Sequence, residues 1–129
     1  MAEAPLVMVV EDDSDTRELI ADVLRDDGYQ VTSAANGQEA LDLLDHAAQP
    51  PSMILLDLMM PIMNGWEFLA ARERSRTYAN VPVLVLSADP ARQLAAQHGV
   101  VAVIGKPFDL GRLLRMVRAV SKAQTVPVV

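Results

Sequence analysis

Short apolar runs alternate with stretches of helical periodicity along this chain. The first run, Leu6 to Val10, is rich in β-branched residues and is followed by three acidic residues, which is typical of a strand buried on both faces of a parallel sheet. Apolar residues then recur at helical spacing from Leu19 to Leu24, after a possible cap at Ser14 and before a stop at Gly28. The chain is therefore predicted to begin with a strand and a helix.

The same order of strand and helix recurs four more times. Further strands are predicted at about residues 30–34, 53–56, 81–86 and 100–104, and further helices at about residues 37–46, 66–75, 91–98 and 110–121. Five such units predict an α/β fold with one parallel sheet, because right-handed crossovers place helices on both of its faces. A length of 129 residues is that of one domain, so we assign residues 1–123 to a single domain and 124–129 to a C-terminal tail.

Composition narrows the classes of function. Hydrophobic residues make up 51% of the chain, enough for a folded core, and a net charge of -6 disfavours direct nucleic acid binding through phosphate contacts. The chain has no cysteine, which excludes disulfides and thiolate metal sites. We find no basic leader and no apolar run long enough for membrane insertion, and we therefore expect a cytoplasmic protein.

Charged and hydroxyl side chains stand where the predicted strands end. In an open parallel sheet the binding crevice lies beyond the carboxyl ends of the strands, so these positions are the candidates for function. Acidic residues follow the first and third strands, a hydroxyl residue follows the fourth, and a lysine follows the fifth. The residues are Glu11, Asp12, Asp13, Asp57, Ser87 and Lys106. Carboxylates from two neighbouring strands are the hard oxygen ligands that bind Mg2+, so we expect a divalent cation here.

Asp57 and Lys106 are the residues that most clearly suggest phosphoryl-transfer chemistry. A carboxylate at the edge of the core can act as a nucleophile toward phosphorus, while a metal and a cationic side chain neutralise the phosphoryl oxygens. Asp57, Lys106 and Asp13 also have ordinary structural interpretations. Asp57 could end a strand in a turn, Lys106 could be a solvated surface lysine, and Asp13 could cap the first helix. The presence of the acidic cluster together with Asp57 and Lys106 favours the chemical interpretation.

Four segments of the sequence, in order, resemble the signature segments of the receiver domains of bacterial two-component response regulators. They are VMVVEDD, ILLDLMMPIMNGWEFL, VPVLVLSA and the KPF of residues 106–108, and the resemblance extends from Leu6 to about Val120. It implies a flavodoxin-like, doubly wound sheet of five parallel strands in the order 2-1-3-4-5, flanked by helices. It also implies a regulatory domain that catalyses only its own phosphorylation and dephosphorylation and turns over no external substrate.

The resemblance implies roles for three residues in phosphoryl transfer. Asp57 would be the phosphoacceptor and would take the phosphoryl group from a sensor histidine kinase or a histidine phosphotransfer protein. Ser87 would bond the phosphoryl group and draw its loop inward, and Lys106 would supply the cation. The signal would then pass to a downstream protein partner.

The resemblance also implies a set of Mg2+ ligands. Asp12, Asp57 and the main-chain carbonyl of Met59 would bind the metal directly, and Glu11 would act through a water molecule. The family more often has aspartate at the position of Glu11, and glutamate there is a variation that it tolerates.

Two features depart from the family pattern. Position 103, where the family usually has a tyrosine or phenylalanine that reports the active state, is Val103. Ser87 and Lys106 are only 19 positions apart, which is short for the family by nearly a helical turn. We therefore expect a short or displaced fourth helix, and a switch without an aromatic residue at 103.

Two other functions fit parts of the sequence. A pseudo-receiver that only scaffolds other proteins would agree with Val103 and the short fourth helix, although the acidic cluster, Asp57 and Lys106 are all present. A Mg2+-dependent phosphatase or phosphotransferase acting on metabolites would need a second general acid beside Asp57 and a cap over the site. The sequence offers no acidic neighbour of Asp57 and no long insertion.

Several other residues have simpler interpretations. Arg72, Arg74 and Arg76 are predicted to lie on a solvated face. Trp66 is predicted to be a partly buried anchor at the start of a helix, and His98 is assigned neither a metal nor a catalytic role.

Overall fold

Five strands and five helical segments alternate along residues 4–125, the part of the chain that the structure, a computed structural model, describes. The strands are β1 (Leu6–Val10), β2 (Gln30–Ala34), β3 (Met53–Leu56), β4 (Val83–Ser87) and β5 (Ala102–Gly105). The helices are α1 (Ser14–Asp26), α2 (Gly37–His46), α3 (Gly65–Glu73) and α4 (Leu110–Thr125), with a 3-10 helix (Arg92–His98) between β4 and β5. Neighbouring strands pair in parallel in the order β2-β1-β3-β4-β5. The predicted α/β fold and its strand order are therefore confirmed.

The sheet is covered on both faces, because successive side chains of a strand point to opposite sides. Val7 and Val9 pack on the face that α1 and α4 cover, whereas Met8 and Val10 pack on the face of α2, α3 and the 3-10 helix. Each helix thus buries one apolar side. Within residues 4–125, no helix has enough length and apolar character to cross a membrane. Polar side chains that follow the central strands consequently gather at the carboxyl edge of the sheet.

The helices begin at side-chain caps that the sequence supplies. Asp13, and not the predicted Ser14, caps α1, since its carboxylate accepts a hydrogen bond from the Thr16 N–H at 2.9 Å. The ordinary interpretation of Asp13 is therefore what the structure shows. α3 begins with a capping box between Asn64 and Glu67, which orients the first turn of the helix directly after the loop that follows β3.

Some element boundaries differ from the predicted ones. The fourth helix is a 3-10 helix of 7 residues, in agreement with the expectation of a short segment before β5. β4 and β5 each begin two residues later than predicted, at Val83 and Ala102. α4 extends to Thr125, two residues into the segment predicted to be a tail, and residues 126–129 of that segment lie outside the described residues.

The prediction that Arg72 lies on a solvated face is wrong. Its side chain is buried, and its Nη2 and Nε donate to the Val81 carbonyl oxygen at 2.7 and 3.2 Å. Arg74 and Arg76 are exposed, as predicted. The guanidinium of Arg72 therefore ties α3 to the segment that leads into β4, and it satisfies a carbonyl that would otherwise be buried without a donor.

Substitution of Arg72 by alanine should lower the free energy of unfolding by about 2 kcal/mol, because the buried Val81 carbonyl loses both donors. The matched control is Arg74→Ala, which removes the same side chain from an exposed position and should change stability by less than about 0.5 kcal/mol. Urea unfolding of the two variants measures the difference. Equal unfolding midpoints for both variants would contradict the structural role of Arg72.

Candidate functional site

The ends of four strands place the predicted site residues on one edge of the sheet. Glu11 follows β1, Asp57 follows β3, Ser87 ends β4 and Lys106 follows β5. Hydrogen bonds continue the ladder past the strands: the Asp57 N–H donates to the Val10 carbonyl and the Lys106 N–H to the Ser87 carbonyl, both at 3.0 Å. The backbone is thus fixed at the positions where these side chains enter the crevice.

Three carboxylates meet at the centre of this edge. Glu11, Asp12 and Asp57 each offer an oxygen, and these atoms all lie within 4.8 Å of one another. Glu11 and Asp57 are buried, with 3% and 6% of their surface exposed, whereas Asp12 is exposed to solvent. Two buried carboxylates at this distance repel each other unless a cation or a proton separates them. This set of hard oxygen donors, open to solvent on one side, fits Mg2+ with some of its waters retained.

Lys106 supplies a positive charge to the same cluster. Its Nζ donates to Glu11 Oε1 and also to Asp57 Oδ2, the latter at 3.2 Å. Burial alone would lower the pKa of Lys106, but the hydrogen bonds and charges of the two carboxylates outweigh it and raise that pKa. Lys106 is therefore held as a cation against Asp57, and it precedes a cis peptide bond to Pro107.

The protonation of Glu11 reflects the crowding of this cluster. The pKa of Glu11 is raised from 4.5 to about 7. Burial of the carboxyl group is the largest cause, and the hydrogen bond between Glu11 and Asp57 is the second, whereas Lys106 lowers this pKa. Without a divalent cation, the Glu11 carboxyl therefore retains a proton over most of the acidic range. A metal ion bound between the carboxylates would take the place of that proton.

This raised pKa predicts a specific pH dependence of stability. The folded pKa of about 7 exceeds the unfolded 4.5, so the contribution of Glu11 is complete below pH 4.5 and is lost as the pH rises through about 7. In the presence of a chelator, wild-type stability should fall over this interval relative to Glu11→Gln, by at most about 3 kcal/mol. Urea unfolding from pH 4.5 to 8 measures the difference. Parallel pH profiles for the wild type and the variant would show that Glu11 does not titrate in this way.

Met59 contacts the Asp57 carboxylate through its backbone, whereas the Ser87 hydroxyl has a different partner. The Met59 N–H donates to Asp57 Oδ1 at 3.2 Å, so the Met59 backbone lies beside the carboxylate while its side chain is exposed. Ser87 is fully buried, and its hydroxyl accepts a hydrogen bond from the Asp89 N–H at 3.0 Å. The structure therefore brings Glu11, Asp12, Asp57 and Lys106 together, whereas the hydroxyl of Ser87 is bound to the loop that follows β4.

Sequence reasoning missed two residues that shape the site. Arg17, on the first turns of α1, donates from Nη1 to the carbonyl of Glu11 at 2.8 Å and to that of Asp12 at 3.4 Å. Gly65 begins α3 against the backbone of Asp57, where a Cβ atom would lie 2.5 Å from the Asp57 carbonyl oxygen. An arginine after an acidic run and a glycine after the β3 loop were visible in the sequence, but only the folded backbone brings them to the site.

The arrangement of strands and side chains agrees with a comparison against family models. Residues 7–118 match the model of the response regulator receiver domain. This chain belongs to that family. The receiver domain is a regulatory module of two-component systems, and the match covers all of the sheet except Leu6, as well as all the site residues described above.

Individual relatives of this receiver domain agree with the assignment. It is 36% identical to the response regulator MprA of Mycolicibacterium vanbaalenii over 122 residues, which cover 92% of this chain and 51% of MprA. It also resembles the solved chemotaxis response regulator CheY4 of Vibrio cholerae, with a TM-score of 0.82 and 31% identity over 91% of this chain and 98% of that one. This chain spans about half the length of MprA, and about half the length of the response regulator Rre1 of Synechocystis sp. and of the transcriptional regulatory protein CpxR homolog of Haemophilus influenzae.

A third receiver domain shares the fold at lower identity. It belongs to the sensor histidine kinase PA1611 of Pseudomonas aeruginosa PAO1, and it was solved with a magnesium ion coordinated in its active-site cleft. The TM-score is 0.82 and the identity 24%, over 92% of this chain and 98% of that domain. The likeness shows a common fold.

Proposed function

We propose that this receiver domain accepts a phosphoryl group on Asp57, from a histidine kinase or a histidine phosphotransfer protein, in a Mg2+-dependent reaction. The observation that carries the proposal is the environment of Asp57: a buried carboxylate that lies within 4.8 Å of two further carboxylates and is hydrogen-bonded by Lys106. Family membership supports it, since the match is to the receiver domains of response regulators.

The residues present fit a magnesium ion. Asp12, Asp57 and the main-chain carbonyl of Met59 would bind it directly, and Glu11 would contact it through a water molecule. The carboxylate oxygens that lie within 4.8 Å of one another support the first two ligands, and the position of the Met59 backbone beside Asp57 supports the third. When bound, Mg2+ would neutralise phosphoryl oxygens and orient them for in-line transfer.

The chain's own residues would carry out the transfer. A carboxylate oxygen of Asp57 forms a bond to phosphorus while the phosphorus–nitrogen bond of the donor phosphohistidine breaks, and the released imidazole nitrogen takes a proton. Lys106 already donates to Asp57 and would pair with the new phosphoryl oxygens. The Ser87 hydroxyl would become a donor to the same group once its loop moves.

The proposed product is a regulatory acyl phosphate that the domain later hydrolyses. Phosphorylation adds nearly two negative charges to a small site, and the loops rearrange around them. The signal would pass to a protein partner, because the net charge of -6 opposes direct binding to nucleic acid. The absence of cysteine fits the cytoplasm, where we place the reaction.

Intact mass after incubation with acetyl phosphate, with Mg2+ or with a chelator, tests the proposal. We expect one phosphoryl adduct on the wild-type protein only when Mg2+ is present, and none on Asp57→Asn. Asp22→Asn is the matched control, since it removes an exposed carboxylate of α1 and should leave the adduct unchanged. An unmodified wild-type protein under all conditions would overturn the proposal and would favour a pseudo-receiver that only scaffolds its partners.

A further inference from the structure

Asp89 connects the buried Ser87 hydroxyl to the aromatic ring of Trp66. The Asp89 N–H donates to Ser87 Oγ at 3.0 Å, and one carboxylate oxygen of Asp89 accepts from Trp66 Nε1 at 3.1 Å. The other carboxylate oxygen accepts from the Ala91 N–H at 2.8 Å. Hydrogen bonds from Ala91 and from Trp66 lower the pKa of Asp89, so the indole N–H donates to a charged acceptor.

Trp66 lies between the phosphoacceptor and the 3-10 helix. It directly follows Gly65, whose Cα packs against the backbone of Asp57, and its half-buried ring stands edge-on to that of His98 with centroids 6.0 Å apart. His98, in turn, is paired with Glu73 at 2.9 Å. One side of Trp66 thus contacts the end of the 3-10 helix, and its indole N–H binds the loop formed by residues 88–91, which we call the β4 loop.

Movement of the Ser87 hydroxyl toward a phosphoryl group is linked to this loop. To move toward Asp57, Ser87 Oγ must either pull the Asp89 backbone with it or release the Asp89 N–H. Either change disturbs a contact that fixes the Asp89 backbone, and the carboxylate of the same residue accepts from Trp66 Nε1. The aromatic side chain connected to Ser87 in this domain is therefore Trp66 of α3, whereas position 103 of β5 is a valine packed against the core.

We propose that Trp66, acting through Asp89, is a positioning residue for Ser87. The hydrogen bond from Trp66 to Asp89 holds the β4 loop in the arrangement of the unmodified domain, and capture of the phosphoryl group by Ser87 breaks this hydrogen bond. The second half of the inference, that capture of the phosphoryl group breaks this hydrogen bond, rests on the proposed function. The first half, the connection from Ser87 to Trp66, holds in the unmodified protein and is tested there.

The fluorescence of Trp66 tests the connection without any phosphoryl donor. Trp66 is the single tryptophan of the chain, so the emission spectrum reports on this residue alone. Ser87→Ala releases the Asp89 N–H and should shift the emission of Trp66. Ser75→Ala is the matched control, because Ser75 Oγ accepts N–H bonds from residues 77 and 78 in a similar turn and should leave the emission unchanged. Unchanged emission in Ser87→Ala overturns the inference, whether or not the domain is phosphorylated.

The rate of phosphorylation tests the positioning role. Trp66→Phe keeps an aromatic ring but removes the indole N–H, so the β4 loop moves more easily and adduct formation with acetyl phosphate and Mg2+ should accelerate about fivefold. Asp89→Ala should accelerate adduct formation at least as much, because it also removes the acceptor of the Ala91 N–H. The double variant should be no faster than Asp89→Ala alone, because Asp89→Ala already removes the hydrogen bond that Trp66→Phe removes.

Two results of the rate experiment would overturn the positioning role: wild-type rates in both single variants, or effects of the two substitutions that multiply. A wild-type protein that forms no adduct would overturn the proposed function and, with it, the second half of the inference. The emission of Ser87→Ala would still decide the first half. A loss of stability alone would not accelerate phosphorylation, so the rate distinguishes positioning from a structural contribution.

Discussion

Gly65→Ala is expected to destabilise the domain by about 3 kcal/mol and to impair modification of Asp57, because the two atoms nearest to the added methyl group belong to the backbone. The new Cβ would lie 2.5 Å from the Asp57 carbonyl oxygen and 2.6 Å from Leu58 Cα. The Gly65 N–H also donates to the Leu58 carbonyl at 3.0 Å, so the start of α3 is held against this segment. Relief requires a shift of α3 or of the Asp57 peptide, and either displaces the phosphoacceptor. Urea unfolding and intact mass after acetyl phosphate treatment measure the two effects.

Gly111→Ala is the matched control for this substitution. A Cβ at Gly111, in the first turn of α4, would approach only charged side-chain ends, Asp109 Oδ1 at 3.2 Å and Arg115 Nη1 at 3.4 Å. Alanine also has a higher helix propensity than glycine, so we expect Gly111→Ala to be neutral or stabilising by up to about 1 kcal/mol. Unfolding of Gly65→Ala at the same urea concentration as the wild type would contradict the close contact between Gly65 and the Asp57 backbone.

Lys106→Met should slow formation of the phosphoryl adduct by about 100-fold or more, since it removes a cation positioned at the oxygens that gain charge during transfer. It should also destabilise the domain by up to about 3 kcal/mol, because Glu11 and Asp57 are buried carboxylates that lose their shared partner. Lys106 lowers the pKa of Glu11, so its removal raises that pKa beyond about 7. The loss of stability should consequently be larger at pH 8 than at pH 6, and Mg2+ should reverse part of it.

The control for Lys106→Met is Lys122→Met, which removes an equal charge from an exposed position on α4. Adduct formation measured by intact mass should proceed at the wild-type rate in Lys122→Met. Stability at pH 6 and pH 8, with and without Mg2+, is measured by urea unfolding. A Lys106→Met protein that is modified as fast as the wild type would exclude a role for Lys106 in the transfer.

Much of the fold could be predicted because the sheet is buried on both faces. The runs at Leu6–Val10 and Met53–Leu56 are apolar throughout and therefore cannot be exposed helices. Because amphipathic helical segments alternate with such runs along the chain, the strands must pair in parallel. The convergence of Asp12, Asp57 and Lys106 follows from the same argument, since parallel strands end at one edge of the sheet. The strand order itself came from the resemblance to receiver domains.

Contacts between distant segments could not be predicted. Arg72 belongs to a run of alternating arginines, and nothing local distinguishes the one whose guanidinium reaches the Val81 carbonyl. The capping of α1 by Asp13 was ambiguous because Asp13 and Ser14 are both good capping residues and differ only in the position of the first turn. The hydrogen bond between Trp66 and Asp89 joins residues 23 positions apart, and it depends on how α3 packs beside the β4 loop.

The position of the phosphoryl group is the most direct test of this account. The wild-type domain is treated with acetyl phosphate and Mg2+, reduced with borohydride, which converts an aspartyl phosphate to homoserine, and digested for peptide sequencing by mass spectrometry. We predict homoserine at residue 57 and an unmodified carboxyl group at Glu11 and Asp12. Homoserine at residue 12, the corresponding reduced product at residue 11, or no reduced residue at all would contradict the assignment of Asp57 as the phosphoacceptor.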